Sequence, residues 1–303
     1  MKCRVLSLGT VAIMVAALLL WVILPVAAQQ GGGDRAARLK EAAAKPTPRA
    51  ADGHPDLTGF WAEPPGAGLA YVRSADGKTL TVVDRDAPEL DARAQPRFKE
   101  RAADKTRRPP YKPEFQAKQR ELMYTASRID PGIHCYPLGV PRIGAPTEIF
   151  QSPTAVTMLY GGEGGAESEE QTHTFRVIPI GGQHDKERDP RPDGDSMARW
   201  DGDTLVVDVV NIDPETWLDG DGDFHDDNLR VVEHFTRKGD MLEYDVSIED
   251  PTLFTGPWKP VAGSVAGRTG SRTRIARKPD EHVIPDYACV ERDRDHKVNN
   301  DRF

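Results

Sequence analysis

Residues 229–249 read Leu-Arg-Val-Val-Glu-His-Phe-Thr-Arg-Lys-Gly-Asp-Met-Leu-Glu-Tyr-Asp-Val-Ser-Ile-Glu, and their period of two decides the fold class. In the second half Leu242, Tyr244, Val246 and Ile248 alternate with Glu243, Asp245, Ser247 and Glu249, the pattern of a strand with one face on a core and the other in solvent. Lys238-Gly-Asp-Met241 carries turn chemistry, so 229–237 and 242–249 form a hairpin. Two further hairpins flank this stretch on the N-terminal side. Segments 148–151 and 155–160 surround Ser152-Pro-Thr154, and segments 197–200 and 203–210 surround Asp201-Gly202. These spacings are too tight for crossover helices, so the sheet is antiparallel. With a first strand at 57–61 and candidate strands at 272–276 and 287–290, the chain offers about eight to ten strands, which suits a closed or nearly closed barrel. The fold class is therefore mainly β: an antiparallel, barrel-like sheet with a helical insert and an N-terminal signal helix.

Outside the sheet, the first residues settle the address. Lys2 and Arg4 precede an unbroken apolar run from Val5 to Leu24, and Val26-Ala-Ala28 places small residues where a signal peptidase reads. Residues 1–28 are a signal peptide cleaved after Ala28, or alternatively an uncleaved anchor, since about twenty apolar residues suffice to span a bilayer. Either way the body is exported, to the periplasm or the extracellular space, and touches a membrane only through that leader. Residues 29–51, with three glycines, an Ala/Lys/Glu-rich run and Pro46-Thr-Pro48, form a tether that is disordered or a lone helix. Residues 52–303 form a single β-rich domain. Its helical insert, 88–126, is broken by Arg107-Arg-Pro-Pro110 and restarted by Pro113 at the first helical position, with Phe115, Leu122, Met123 and Ala126 as its buried stripe. The formal net charge of −8 argues against a nucleic-acid partner. Cys3 leaves with the leader. Cys135 and Cys289 remain to form one disulfide in an oxidising compartment, the alternative being two buried thiols.

Glu233 is the most informative polar position. It shares its strand parity with Leu229, Val231 and Phe235, so it points inward, where a carboxylate is either paired, neutralised or exposed inside a wet cavity. Arg142 or Arg199 would be the partner if the role is structural. His173 alternates with Phe175 and Val177, so it too is read as inward, and a His and a Glu in one cavity are the minimum for acid–base work. His225, with Asp227 or with His184 and Asp185, is a second candidate base or a transition-metal site. Asp219, Asp221 and Asp223 repeat at the spacing of calcium-loop ligands. Phe224 and Arg230 stand where that pattern needs Gly and Glu, so the competing reading is a solvated acidic loop. Trp61, Arg142, Trp200, Trp217 and Tyr244 are candidate ligand-binding positions, against a core role for the tryptophans. The nucleophile elbow, the phosphate-binding loop, the dinucleotide fingerprint and His-Glu-x-x-His are all missing from the sequence, so no cofactor is expected beyond calcium or another divalent metal.

Several stretches resemble a large group of exported bacterial proteins that open on Gly-His-Pro-Asp-Leu-x-Gly-x-Trp. That motif stands here as Gly53-His-Pro-Asp-Leu-Thr-Gly-Phe-Trp61, and Cys135-Tyr-Pro-Leu-Gly-Val-Pro-Arg142, Arg199-Trp-Asp-Gly-Asp-Thr-Leu-Val-Val-Asp208 and Thr216-Trp-Leu-Asp219 follow in order. The resemblance implies export and a β-rich fold, and no activity. Where that group often carries His-Ser before the Trp-x-Gly-Asp turn, this chain has Asp195-Ser196. Gly59-Phe-Trp61 is also similar to the first-strand motif of lipocalins, in which the Trp plugs one end of a ligand-holding barrel. The expected function is binding of a small, largely apolar ligand. The alternatives are a cofactor-independent hydrolase or lyase using Glu233 and a His, and a scaffold subunit with an envelope protein partner.

Overall fold

The hairpin at 229–249 is the centre of the sheet. Strand β10 (Arg230–Lys238) pairs with β11 (Met241–Glu249) from Arg230↔Glu249 to Lys238↔Met241, around a two-residue turn at Gly239 and Asp240 that is tighter than the four residues read from the sequence. Leu242, Tyr244, Val246 and Ile248 are all buried, as are Val231, Glu233 and Phe235 opposite them. Burying each such apolar side chain contributes about 1.5–3 kcal/mol relative to exposure, which fixes the register because a one-residue slip would reverse the faces.

The computed structural model describes residues 31–64, 69–73, 80–84, 87–91, 108–161, 174–185, 187–260 and 269–278. Its other strands are β1 (Gly59–Ala62), β2 (Leu69–Arg73), β3 (Leu80–Asp84), β4 (Ala87–Asp91), β5 (Glu148–Gln151), β6 (Ala155–Tyr160), β7 (Thr174–Pro179), β8 (Asp195–Asp201), β9 (Thr204–Val210) and β12 (Arg272–Arg277). Its helices are α1 (Gly31–Ala44) and α2 (Gln116–Ile129). Among the described residues nine strands form one sheet in the order β7-β6-β5-β1-β12-β11-β10-β9-β8, every neighbouring pair antiparallel, curled into a nearly closed barrel. A separate sheet holds β2, β3 and β4.

An odd number of strands has a geometric consequence. Eight antiparallel steps leave the first and last strands of the sheet running the same way, so β7 and β8 can close the ring only as a parallel pair. They meet at one parallel bridge, Ile180↔Ala198, where the Gly181 N–H donates to the Ala198 carbonyl at 2.7 Å. Parallel rungs recur every second residue, and the next would need an N–H at position 179, which is proline. The seam is therefore zipped at one end only. A parallel connection also needs a long crossover. Residues 180–194 supply it, running back along the outside of β8 and β9.

The β5–β6 hairpin stands as read, and the β8–β9 hairpin turns one residue later than expected, at Gly202 and Asp203, with Asp201 still paired to Thr204. The insert differs. Residues 87–91 form β4, at the edge of its sheet, where a proline such as Pro88 is tolerated. Pro113 does open helical structure, as a 3-10 turn (Pro113–Phe115) leading into α2. Of the expected stripe Ala126 is buried and Phe115, Leu122 and Met123 are half-buried, joined by a buried Gln119. The stretch before the barrel is a strap. Asp240 N–H donates to Ala42 O at 3.0 Å, Lys45 meets Asp240 at 2.7 Å, and Arg49 forks onto Asp203 at 2.7 and 2.9 Å, so residues 42–49 tie down two hairpin turns.

Candidate functional site

Glu233 projects from β10 into the barrel and is fully buried. Its partner is Arg176 of β7, at 2.8 Å, in place of the expected Arg142 or Arg199. Arg142 instead forks onto Asp130 at 2.6 and 2.7 Å in a buried pair of its own, and Arg199 is exposed on the outside of β8. Arg176 was hidden by the apolar pattern of its strand. Phe175 and Val177 suggest an inward face, yet they are 66% and 59% exposed, while Arg176 and Ile178 are buried. The face expected to hold His173 is thus the outer one for both of its strand companions, and His173 itself lies outside the described residues. The only sequence signal for the true phase is indirect: an inward Glu233 needs a cation, and inverting the phase of β7 provides one.

Five other side chains complete the cluster. Tyr244 of β11 donates its hydroxyl to Glu233 Oε1 at 3.1 Å. Arg176 donates to the Tyr160 hydroxyl of β6 at 2.9 Å and to Ser196 Oγ of β8 at 2.8 Å. Thr174 donates to Asp193 at 3.3 Å at the mouth of the seam. Burial works against the charge of Arg176, but the Glu233 carboxylate outweighs it and holds the guanidinium proton more firmly than water does. Burial, with Glu233 adding, raises the Tyr160 and Tyr244 hydroxyls above their usual range, so both stay neutral. Burial likewise raises the Asp193 carboxyl, against the pull of Arg176. Two polar atoms keep unspent capacity in this arrangement: Arg176 Nε–H has no acceptor, and Glu233 Oε2 accepts no aligned hydrogen bond despite its ion-pair contact. From fully buried Glu233 the cluster grades outward through Arg176 to half-buried Ser196, Thr174 and Asp193, a polar path along the unzipped part of the seam.

The remaining candidates are engaged elsewhere. Trp61 is fully buried, donates to Leu57 O at 3.0 Å and lies under the Arg237 guanidinium at 5.0 Å. Trp200 stacks on His54 with centroids 4.5 Å apart, and Trp217 bridges to Phe224. The opening motif therefore serves as a clamp on the strapped end of the barrel, with the Asp56 carbonyl accepting from Arg237. His225 is buried with its ring nitrogens against Thr216 Oγ1 at 2.9 Å and the Asp226 carbonyl at 3.0 Å, and burial lowers its pKa. No hydrogen bond joins it to Glu233. His184 lies outside the barrel, between Asp195 at 3.0 Å and Asp208 at 3.4 Å, with Arg188 and Arg230 on the same two carboxylates.

The acidic loop is not solvated, contrary to the plain reading of its composition. Asp219, Asp221 and Asp223 are all buried. Asp219 Oδ1 accepts the Asp221 and Asp223 amides at 2.8 and 3.2 Å, and Gln119 of α2 donates to Asp223 at 2.9 Å. Burial and the neighbouring Asp219 push the Asp223 carboxyl well above its ordinary range. Among the described residues no group of three or more His, Cys, Asp or Glu side chains could hold a metal ion. Cys289 lies outside the described residues.

Fold and site together define a nearly closed antiparallel β-barrel with a charged pair in its interior. Comparison with protein-family models, with curated proteins and with solved structures finds no match to this chain.

Proposed function

We propose that this is an exported protein whose barrel holds a small, largely apolar ligand, with Arg176 and Glu233 fixing the orientation of its polar group. The observation that carries this reading is the buried Arg176–Glu233 pair. Removing two charges from water costs several kcal/mol per ion, roughly balanced at best by their attraction, so such a pair is a poor stabiliser of an otherwise apolar interior. Unspent hydrogen-bonding capacity on both partners and a polar path through the seam are what a small-molecule site requires, a mostly apolar enclosure with a few convergent polar groups. Tyr244 belongs to this site. The acid–base alternative gains no support from His225, whose ring nitrogens both face other partners.

Export is supported by the leader and by the resemblance carried by 53–61. A Cys135–Cys289 bridge belongs to the same proposal and is supported by the oxidising compartment that export implies.

The test is titration of the purified protein, expressed as the full chain and recovered from the envelope fraction, with the apolar fluorophore N-phenyl-1-naphthylamine. One saturable site, competed by ten-carbon amphiphiles, is expected. A linear, non-saturable signal would end the reading.

A further inference from the structure

We infer that the polar group received beside Arg176 is uncharged, an amide, ketone, ester or alcohol, and that carboxylates and phosphates are rejected. This rests on the ligand-binding reading above and sharpens it to a chemical class.

An arginine inside a barrel invites the opposite conclusion, since a guanidinium is the usual partner of a carboxylate. Here its charge is already matched. Glu233 contacts it at 2.8 Å, and Asp193, which receives the Thr174 hydroxyl at 3.3 Å, faces it from the seam, so the described carboxylates around the guanidinium outnumber it. No second cation makes a described contact with the cluster. An entering anion would therefore bury a net negative charge beside Glu233, which is costly without a partner. The donors tell the same story. Tyr160, Ser196 and Glu233 engage at most three of the four terminal N–H groups of the guanidinium, and Nε–H has no acceptor. Ser196 receives from Arg176 and retains its own hydroxyl proton to donate, and Glu233 Oε2 remains as an acceptor. Donors set beside the Glu233 acceptor match a neutral amide, hydroxyl or carbonyl compound, whereas a carboxylate has no proton to give Glu233 Oε2 and is repelled by it.

The experiment compares decanamide with decanoate, equal in chain length and differing in charge, as competitors for bound N-phenyl-1-naphthylamine at neutral pH. The wild-type protein should take decanamide roughly ten-fold or more tightly over decanoate, the discrimination expected for an unpaired buried charge. In Glu233→Gln the guanidinium loses its counter-charge, and the preference should shift toward decanoate. Ser196→Ala, a milder change at a half-buried position, should weaken decanamide several-fold and leave decanoate unaltered. Equal or tighter binding of decanoate by the wild type overturns the inference while leaving the ligand-binding reading intact. An unchanged ratio in a folded Glu233→Gln protein overturns it as well. If neither compound competes and the fluorophore itself does not saturate, the ligand-binding reading fails and the inference falls with it. The wild-type comparison needs no variant, so a Glu233→Gln chain that does not fold leaves the decisive arm in place.

Discussion

At the scale of single residues, two buried carboxylates meet the same problem in different ways. Glu233 lies against the Arg176 guanidinium at 2.8 Å. Among the described residues the one guanidinium near Asp223 is distant, Arg108 at 3.9 Å, and Asp223 shares its surroundings with Asp219, so burial and like-charge repulsion drive it toward the neutral acid. The raised carboxyl holds its proton to a higher pH in the folded state than in the unfolded one. Between those two values the folded chain binds more protons, so stability falls as pH rises through the window and stays lower above it. Asp223→Asn keeps the acceptor for Gln119 and cannot ionise. Its stability relative to the wild type, read from urea midpoints, should therefore grow as pH rises above about 4, the ordinary carboxylate value, and level off once the raised pKa of the folded state is passed. Parallel curves for the two proteins over that range would mean that Asp223 ionises without penalty. None of this is legible from spacing. Asp219, Asp221 and Asp223 look like solvated or metal-binding residues in sequence because composition does not reveal that α2 packs over the loop and brings Gln119 to it.

At the scale of elements, the strands were legible wherever one face is apolar and the other polar, as in β11, and misread where both faces carry apolar residues. In β7 the exposed pair Phe175 and Val177 outweighs Ile178 in any count of hydrophobicity, so pattern alone assigns the wrong face and hides Arg176. The crossover 180–194 escapes pattern reading altogether, since it has no periodicity and is held by charges. Asp195 is its anchor. Buried at the start of β8, it accepts from His184 at 3.0 Å, from the Asp185 amide at 2.9 Å and from Arg188 at 2.8 Å. Asp208 of β9 is the second post, held below the usual carboxylate range by Arg230 and His184 against the opposing effect of burial. Asp195→Ala removes the acceptor of three donors and should destabilise the protein by about 1–3 kcal/mol. The loss should be local first. Limited proteolysis is expected to cut within 181–190 before the barrel opens. Cleavage at the same rate as in the wild type would show that backbone contacts such as Asp213 N–H to Arg191 O, at 2.9 Å, hold the crossover without Asp195.

At the scale of the whole molecule, the odd number of strands among the described residues of the barrel links its closure to its interior chemistry. The sequence suggested the number of strands but not its parity, and parity decides that β7 and β8 must meet in parallel. Their backbones are bridged at Ile180 and Ala198, and Pro179 withholds the next rung. Side chains close the rest: Arg176 reaches Ser196 across the seam, and Thr174 reaches Asp193. Arg176 thus pairs with Glu233 inside the barrel and latches its wall. The directions of the β7 amides follow from alternation. Ile180 N–H donates to Thr154 O of the β5–β6 turn, on the side of β6, so the even-numbered amides of Arg176 and Ile178 face β6 and the odd-numbered amides of Phe175 and Val177 face the seam. Hydrogen exchange resolved by residue should therefore split β7 in two. Phe175 and Val177 should exchange by local opening, orders of magnitude faster than Arg176 and Ile178, while β10, paired on both sides with β9 and β11, exchanges only on global unfolding. Saturating ligand that spans the Arg176–Ser196 latch should slow the two odd-numbered amides and leave their even-numbered neighbours unaltered. Uniform protection along β7 in the free protein would mean that the seam is zipped by more than one rung, and a ligand would then need another way in.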